Sequence, residues 1–494
     1  MNRAGADLQS LRGATVEIFS AALKAVDAGA ALKKKVKLAG ARLKVFDSDY
    51  QLKDHPVYSI AIGKAARSMA AALDEILGSR LTEGILAAPS EAETKAALLL
   101  QQLVSVGQVS AEEAETEMFR GVVRKAIEQD ERHPSISSTL SERWRVFAGG
   151  HPLPNQASLD AAREAINLLR RADHERALVL FLISGGASAS FEWPLEARVT
   201  LEDLREANRV LVSCGATIAE VNAVRRAFSA VKGGRLSALA PQAQQIGLIV
   251  SDTNAGEEWA VASGPTFAPP TDAPAALDVI SRYKLAKSLP PSILRVVEDT
   301  ATEKPQVSSG IHHHLLLDNR SAMKAAQLAA EERGFVVEVA DDIIEQPVEY
   351  GCGELLAQLY EGKGRNEVEV FCLISGGEFA CPVRGDGTGG RNAETVLRAA
   401  IALDENASGQ TGVDADGWHT VVLSAGTDGV DGNSPAAGAI ADEMTVERAR
   451  TRGLDARRSL EQSDAYTFFH ALGDAISTGP TGTNVRDLRI MLAS

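Results

Sequence analysis

The chain has 494 residues, 45% of them hydrophobic and 24% charged, and a formal net charge of −15. That composition belongs to a globular protein with room for two or three cored domains. The acidic balance excludes a general nucleic-acid binder, whose footprint is basic, and no apolar run approaches the ~20 residues that span a bilayer.

The N-terminus leads into a polar amphipathic segment without the apolar core of a signal peptide. Cys214, Cys352, Cys372 and Cys381 form no Cys-x-x-Cys pair, so free thiols in a reducing cytoplasm are expected. Helical periodicity runs from Leu8 to about Leu43. Val57 to Ile62 reads as a strand, and Gly63-Lys64-Ala65-Ala66 turns into a helix reaching about Leu77. A short strand over Gly84 to Ala88 stops at Pro89, and residues 91–130 read as an inserted helical pair. After the loop Gly149-Gly150-His151-Pro152-Leu153-Pro154, a helix is expected from Ser158 to Arg171 with Ser158 as its N-cap. A strand from Ala177 to Ile183 runs into Ser184-Gly185-Gly186, a helix covers Leu201 to Ala219, and the strand Ile246 to Val250 ends at Ser251-Asp252. Residues 303–310 read as a linker, which sets the expected domains at 1–305 and 306–494. Beyond it come strand 312–317, helix 321–333, strand 335–340, helix 353–361, strand 367–374 and the strand His419 to Leu423. Strands alternating with helices predict α/β architecture with mainly parallel sheets flanked by helices in both halves.

One phrase occurs twice, as Leu182-Ile183-Ser184-Gly185-Gly186 and Leu373-Ile374-Ser375-Gly376-Gly377, each after an apolar strand. A buried parallel strand ending in Ser-Gly-Gly leaves backbone N–H groups bare at the sheet edge where open α/β sheets bind ligands, which suits phosphate. Two such loops suggest two half-sites for two substrates. Lys64 opens a helix, where a cation is disfavoured unless an anion binds there; a surface lysine beyond a glycine turn is the equal alternative. Gly385-Asp386-Gly387-Thr388-Gly389-Gly390 fits Gly-x-Gly-x-x-Gly but lacks a following strand-end acid, so a dinucleotide site is weakly indicated. Arg391-Asn392 behind it suits bidentate phosphate binding and charge stabilisation during phosphoryl transfer. Lys232-Gly233-Gly234-Arg235, after Arg225-Arg226, suits an anion or a solvated helix end. No Gly-Lys-Ser/Thr occurs, so any nucleotide site is not a P-loop. Asp252 and Asp428 follow strands and suit Mg²⁺ or a base on a hydroxyl, whereas Asp431 reads as a turn-former. Ser263-Gly264-Pro265-Thr266 is a polar loop open to substrate contact. His312-His313-His314 cannot converge on one ion from a strand, because consecutive side chains face opposite sides.

Taken in order, these phrases resemble the class II glycerate kinases, the glycerate 2-kinase family with a MOFRL-type C-terminal domain. The matching stretches are Gly63-Lys64-Ala65, Gly150 to Pro154, Ser184-Gly185-Gly186, Lys232 to Leu236, Ser251-Asp252, Ala262 to Thr266, Ser375 to Glu378, Gly387 to Glu394, Gly426 to Gly432 and Thr478 to Asn484. Two positions depart from the family: Ala227 stands where a histidine is usual, and Glu257 follows Gly256 where an aspartate is usual. The resemblance implies a Rossmann-like N-terminal domain, a MOFRL-type C-terminal domain and an active site in the cleft between them. It further implies ATP-dependent phosphorylation of D-glycerate with Mg²⁺, most simply at O2. Lys64 and Arg391 fall on the family's active-site lysine and arginine. With them, Asp252 is the candidate base or metal ligand. Ser184, Gly185, Gly186, Lys232, Gly233, Ser263, Ser375, Gly376, Gly377, Glu378, Gly389, Gly390, Asn392 and Asp428 are the candidate substrate and nucleotide contacts. The expected partners are ATP and D-glycerate, with no nucleic acid and no membrane, in a cytoplasmic monomer or homodimer. The alternatives are a hydroxypyruvate reductase using NAD(P)H and a non-catalytic protein that binds nucleotides or anions.

Overall fold

The computed structural model describes residues 7–52, 55–89, 140–300, 310–366, 368–407 and 418–494. Among them the chain forms two compact units. One runs from Ala28 to Asp318; the other comprises Asn319–Ser494 together with the stretch up to Asp27. The expected helical insertion at 91–130 and the linker at 303–309 lie outside the described residues.

In the first unit a small antiparallel sheet of β1 (Val36–Ala39), β2 (Arg42–Val45) and β3 (Ser48–Gln51) occupies part of what reads as one long helix. Two helices, Leu8–Ala25 and Ala28–Lys35, come first. The helical reading fails beyond Lys35 because Arg42-Leu43-Lys44-Val45 alternates charged and apolar residues, exposed and buried in turn, across a turn at Gly40.

The main sheet holds β4 (Val57–Ile62), β5 (Leu81–Pro89), β6 (Trp144–Gly149), β7 (Leu178–Ser184), β8 (Gln244–Val250) and β9 (Ile311–Leu317). Their order is β6-β5-β4-β7-β8-β9, and every neighbouring pair is parallel. β4 and β7 are buried along their whole length, as parallel strands covered on both faces must be. The strand order reverses between β4 and β7, and the crevice outside their C-terminal ends is the topological switch point of the sheet. β9 reads along the chain as the opening of the second half, yet it pairs with β8, so the first unit extends to Asp318. Helix Gln156–His174 is capped by Asn155, with Ser158 answering from the first turn as the other half of a capping box. The expected cap at Ser158 is thus displaced by three residues, because both side chains suit the role.

The second unit is built on β10 (Val336–Ala340), β11 (Phe371–Ser375), β12 (Thr420–Gly426), β13 (Gly438–Asp442), β14 (Ala475–Ile476) and β15 (Asp487–Ala493), in the order β10-β11-β15-β12-β13-β14. Here the α/β reading holds but the expectation of a mainly parallel sheet does not. Only β10 and β11 pair in parallel; the other pairings are antiparallel. β10, β11 and β12 still run the same way, as the alternation requires. The last strand of the chain, β15, inserts between β11 and β12 in the opposite sense. One face of this sheet is covered by Leu11, Ile18, Phe19 and Ala22 of the first helix, packed on Val421, Leu423, Ile490 and Leu492. The other face carries Leu355 and Leu359 of helix Val348–Arg365 and Val396 and Leu397 of helix Arg391–Ala407.

Candidate active site

Within the first unit, Gly63, Lys64, Ser184, Gly185, Gly186 and Asp252 meet at the switch point. Gly63 stands at φ +102°, and a Cβ there would overlap the Ser184 carbonyl, so only glycine lets β4 turn this close to β7. The turn is pinned: Lys64 N–H donates to Gly185 O at 2.9 Å, Ala65 N–H to Ser184 Oγ at 3.0 Å, and Ser184 Oγ to Ile62 O at 3.3 Å. A Cβ at Gly186 would come within 2.9 Å of Lys64 Cγ, and one at Gly185 would overlap the Asp252 carboxylate. The half-buried Lys64 and Asp252 side chains therefore lie over two adjacent bare glycines at the C-terminal edge of a parallel sheet. A cation and an acid placed side by side there can handle a phosphate and a hydroxyl.

The Lys232-Gly233-Gly234 loop is placed otherwise. The Lys232 ammonium is fully buried and ion-paired with the equally buried Glu192, which also accepts from Ser229 Oγ and, at 2.9 Å, from Trp193 N–H. Gly233 and Gly234 N–H groups donate to Ser263 O and Gly264 O at 3.2 and 2.8 Å. Lys232 and Gly233 thus do not offer the anion contact expected of them; the motif stitches two loops together inside the unit. Ser263 is likewise inside, its Oγ donating to Asn222 Oδ1 at 2.8 Å and meeting Ser188 Oγ at 2.9 Å. Ala262, Ser263 and Gly264 all have φ between +55° and +66°. Three successive left-handed residues, two of them not glycine, mark a backbone held by its surroundings.

The three histidines separate as strand geometry demands. His313 stacks on Phe267 at 3.6 Å, while His314 stacks on Phe46 at 4.9 Å and His312 meets Tyr50 edge-on. Burial, then the neighbouring histidines, bring the His313 pKa down to about 4, so it stays neutral, with Nε2 3.0 Å from Thr266 Oγ1.

In the second unit the second Ser-Gly-Gly loop is closed to ligands. Gly377 N–H donates to Asn319 Oδ1 at 2.9 Å, and Gly376 O and Gly377 O accept from Arg489. Arg489 is fully buried and stacked on Phe379 at 3.6 Å, and burial pulls its pKa down to about 10. So Ser375, Gly376 and Gly377 serve as a clamped turn rather than as the bare anion nest that their likeness to the first loop suggests. The turn presents Glu378, which pairs with Arg391 at 2.8 Å; Arg391 also holds the buried Asp487 through Nε and, at 3.2 Å, through an Nη. Burial works against the Asp487 charge, but Arg391 prevails and lowers its pKa. Asp487 and Asp428 both lie near Gly426, whose Cβ would stand 3.5 and 3.2 Å from their carboxylates. Asn392 was expected to touch substrate, but it is buried: Ser424 Oγ donates to its Oδ1 at 2.6 Å and its Nδ2 faces Asp431. Asp431 caps helix Arg391–Ala407 from another loop, accepting from Asn392 and Ala393 N–H at 2.9 and 2.8 Å. A Cβ on Gly390 would overlap that carboxylate, and Gly389 N–H donates to Asn433 Oδ1 at 2.8 Å. Both glycines are therefore part of the helix entry. Asp487 and Arg489 escape the sequence reading because nothing in Asp-Leu-Arg distinguishes them from any strand; only the insertion of β15 brings them to this loop.

Among the described residues no group of three or more His, Cys, Asp and Glu is arranged to hold a metal ion. A single carboxylate such as Asp252 fits a magnesium ion carried mainly by substrate phosphates. No described helix is long and apolar enough to cross a membrane.

The chain also matches known families and proteins. The family model described as a domain of unknown function, DUF4147, matches residues 14–298, and the MOFRL family model matches residues 371–487. The chain is 30% identical to the D-glycerate 2-kinase of Thermotoga maritima over 489 residues, covering 98% of this chain and 99% of that protein. It is 31% identical to the glycerate kinase of Homo sapiens over 522 residues, covering 96% and 92%. A crystal structure of glycerate kinase from Thermotoga maritima superposes with a TM-score of 0.73 at 28% identity, over 98% of this chain and 100% of that one.

Proposed function

Since the chain belongs to the class II glycerate kinase family, we propose that it transfers the γ-phosphoryl group of ATP to O2 of D-glycerate, giving 2-phosphoglycerate and ADP. Its main support is the meeting of Lys64, Asp252 and Ser184-Gly185-Gly186 at the switch point of a parallel sheet. The bond from the γ-phosphorus to the bridging oxygen of ADP breaks, a bond from glycerate O2 forms, and the hydroxyl proton leaves. Such a transfer asks the protein mainly for positioning and for charge placed where it develops. Lys64 is the cation for the transferring group. Asp252 takes the hydroxyl proton or touches the nucleotide's magnesium ion, which when bound would neutralise phosphate charge. Arg391 is the proposed cation of the second unit. With Glu378 and Asp487 already on it, it offers oriented N–H donors more than net charge.

Incubation with ATP, Mg²⁺ and D-glycerate, read by phosphorus NMR, tests this. A 2-phosphoglycerate signal is the expected outcome, and 3-phosphoglycerate would keep the kinase and move the position. Folded protein that makes neither would overturn the proposal and direct attention to NADH oxidation with hydroxypyruvate. The reductase alternative has behind it the Gly385–Gly390 pattern and the name of a relative, the putative hydroxypyruvate reductase of Agrobacterium vitis, 36% identical over 359 residues; in the pattern Gly387 N–H is spent on Gln462 O and Gly389 N–H on Asn433.

A further inference from the structure

Helix Ile218–Phe228 carries Arg225 and Arg226 into the interior of the first unit, where they are 8% and 7% exposed. Arg225 is satisfied by neutral acceptors, Asn208 Oδ1 at 3.0 Å and Asn222 Oδ1 at 3.4 Å. Arg226 is not: its guanidinium lies 5.3 Å from the Trp259 ring centroid, its stem passes the bare backbone of Gly233, and one Nη has no hydrogen-bond partner. Among the described residues no carboxylate pairs with Arg226. Glu192, the carboxylate that acts on the neighbouring Arg225, is spent on Lys232. Burial, and after it the charge of Arg235, pull the Arg226 pKa down to about 10. A buried cation with an idle donor and a cationic neighbour is a costly arrangement unless an anion completes it.

The surroundings point to where that anion sits. Segment Glu258–Ser263 brings Trp259 against Arg226 and Ser263 against Ser188, and Ser188 lies two residues beyond Gly186, which packs on Lys64. Asn222, one turn before Arg226, joins the same chain through Ser263. Hydrogen bonds thus run from Ser188 through Ser263 and Asn222 to Arg225, the residue before Arg226, and Ser188 stands two residues beyond the glycine that Lys64 packs on.

We propose that Arg226 is a substrate-binding residue that takes the carboxylate of the acceptor hydroxy acid, holding its hydroxyl toward the Lys64 and Asp252 edge. This rests on the kinase reading above for the identity of the acid. A carboxylate suits a guanidinium that lies over an indole ring and keeps an unpaired Nη.

The test compares wild type with Arg226→Met and Arg226→Lys in the intact chain, after circular dichroism shows both variants folded. In the turnover assay, Arg226→Met should raise KM for D-glycerate roughly 100-fold while leaving KM for ATP within about twofold; Arg226→Lys should recover part of the loss. An unchanged KM for D-glycerate, or a rise confined to ATP, would overturn the assignment. A second readout does not need turnover. D-glycerate alone should raise the melting temperature of wild type and not of Arg226→Met, while the unliganded variant melts no lower than wild type because an uncompensated buried charge has been removed. A lower unliganded melting temperature with an intact glycerate-induced rise would mean a purely structural arginine and defeat the proposal. If wild type binds D-glycerate in this way but transfers no phosphoryl group, the kinase reading fails and the carboxylate site stands.

Discussion

A methyl group at Gly185 would occupy the space of the Asp252 carboxylate, so the two residues form a matched pair. Gly185→Ala should therefore lower the melting temperature, and should do so much less in an Asp252→Ala background where the clash is gone. Thermal melts of the four proteins read that coupling directly, and additive losses would mean that the two sites are independent. Lys64 differs in kind, being half-buried and laid over a glycine rather than locked in the core. Lys64→Met is expected to lower kcat for D-glycerate phosphorylation by about 100-fold or more with a melting temperature close to wild type. A kcat near wild type would remove Lys64 from the reaction.

At the scale of elements, helix Arg391–Ala407 begins at a junction where Asp431, Asp487 and Glu378 converge on its first turn. Replacing Arg391 by alanine leaves Asp487 buried without its partner, a change that typically costs about 3–5 kcal/mol. Lost activity in that variant would mix chemistry with unfolding. Arg391→Lys is the cleaner probe: charge is kept and the fork lost, and turnover should fall at least about 10-fold while the fold survives. Asp431 supplies a pH signature. Burial raises its pKa from 3.8 to about 6, against the helix N–H groups that favour the anion. Its folded pKa lies above the unfolded one, so its stabilising contribution is full below pH 3.8 and is lost as the pH rises through about 6. Denaturant melts of Asp431→Asn between these limits should show a flatter dependence of stability on pH than wild type. An unchanged slope would assign the titration to another group.

Across the whole molecule, the unit built on Asn319–Ser494 takes its outermost layer from the other end of the chain. Leu11, Ile18 and Phe19 cover one face of its sheet, and Arg12 joins the buried Asp442 and Asp474 at the end of that face. Phe19→Ala should destabilise that unit by about 3–5 kcal/mol. Limited proteolysis should then find earlier cleavage within residues 319–494 than in wild type. Cleavage that speeds up only elsewhere would contradict the packing.

Much of this was legible beforehand. Hydrophobic runs placed β4 and β7 to within a residue and located β8, β11 and β12 with one end off by two to four residues, and Gly63-Lys64, Ser184-Gly185-Gly186 and Asp252 each fell at a strand end. That reading succeeds because a buried parallel strand and the turn leaving it are set by residues adjacent in sequence. What depended on partners distant in sequence stayed hidden. β15 slips between β11 and β12 and turns the second sheet mostly antiparallel, bringing Asp487 to Arg391, 96 residues earlier, and Arg489 to Gly376, 113 residues earlier. Lys232 reads from its glycines as an anion-binding lysine, yet Glu192 claims it inside the core. The two Ser-Gly-Gly phrases are the plainest case. Their local conformation is alike, with Gly186 and Gly377 at φ +81° and +80°. The sequence alone determined that conformation, because it is a property of the glycine backbone. Which phrase faces Lys64 and Asp252, and which is closed by Asn319 and Arg489, was decided by tertiary packing, because burial and charge pairing belong to the neighbours a chain acquires only on folding.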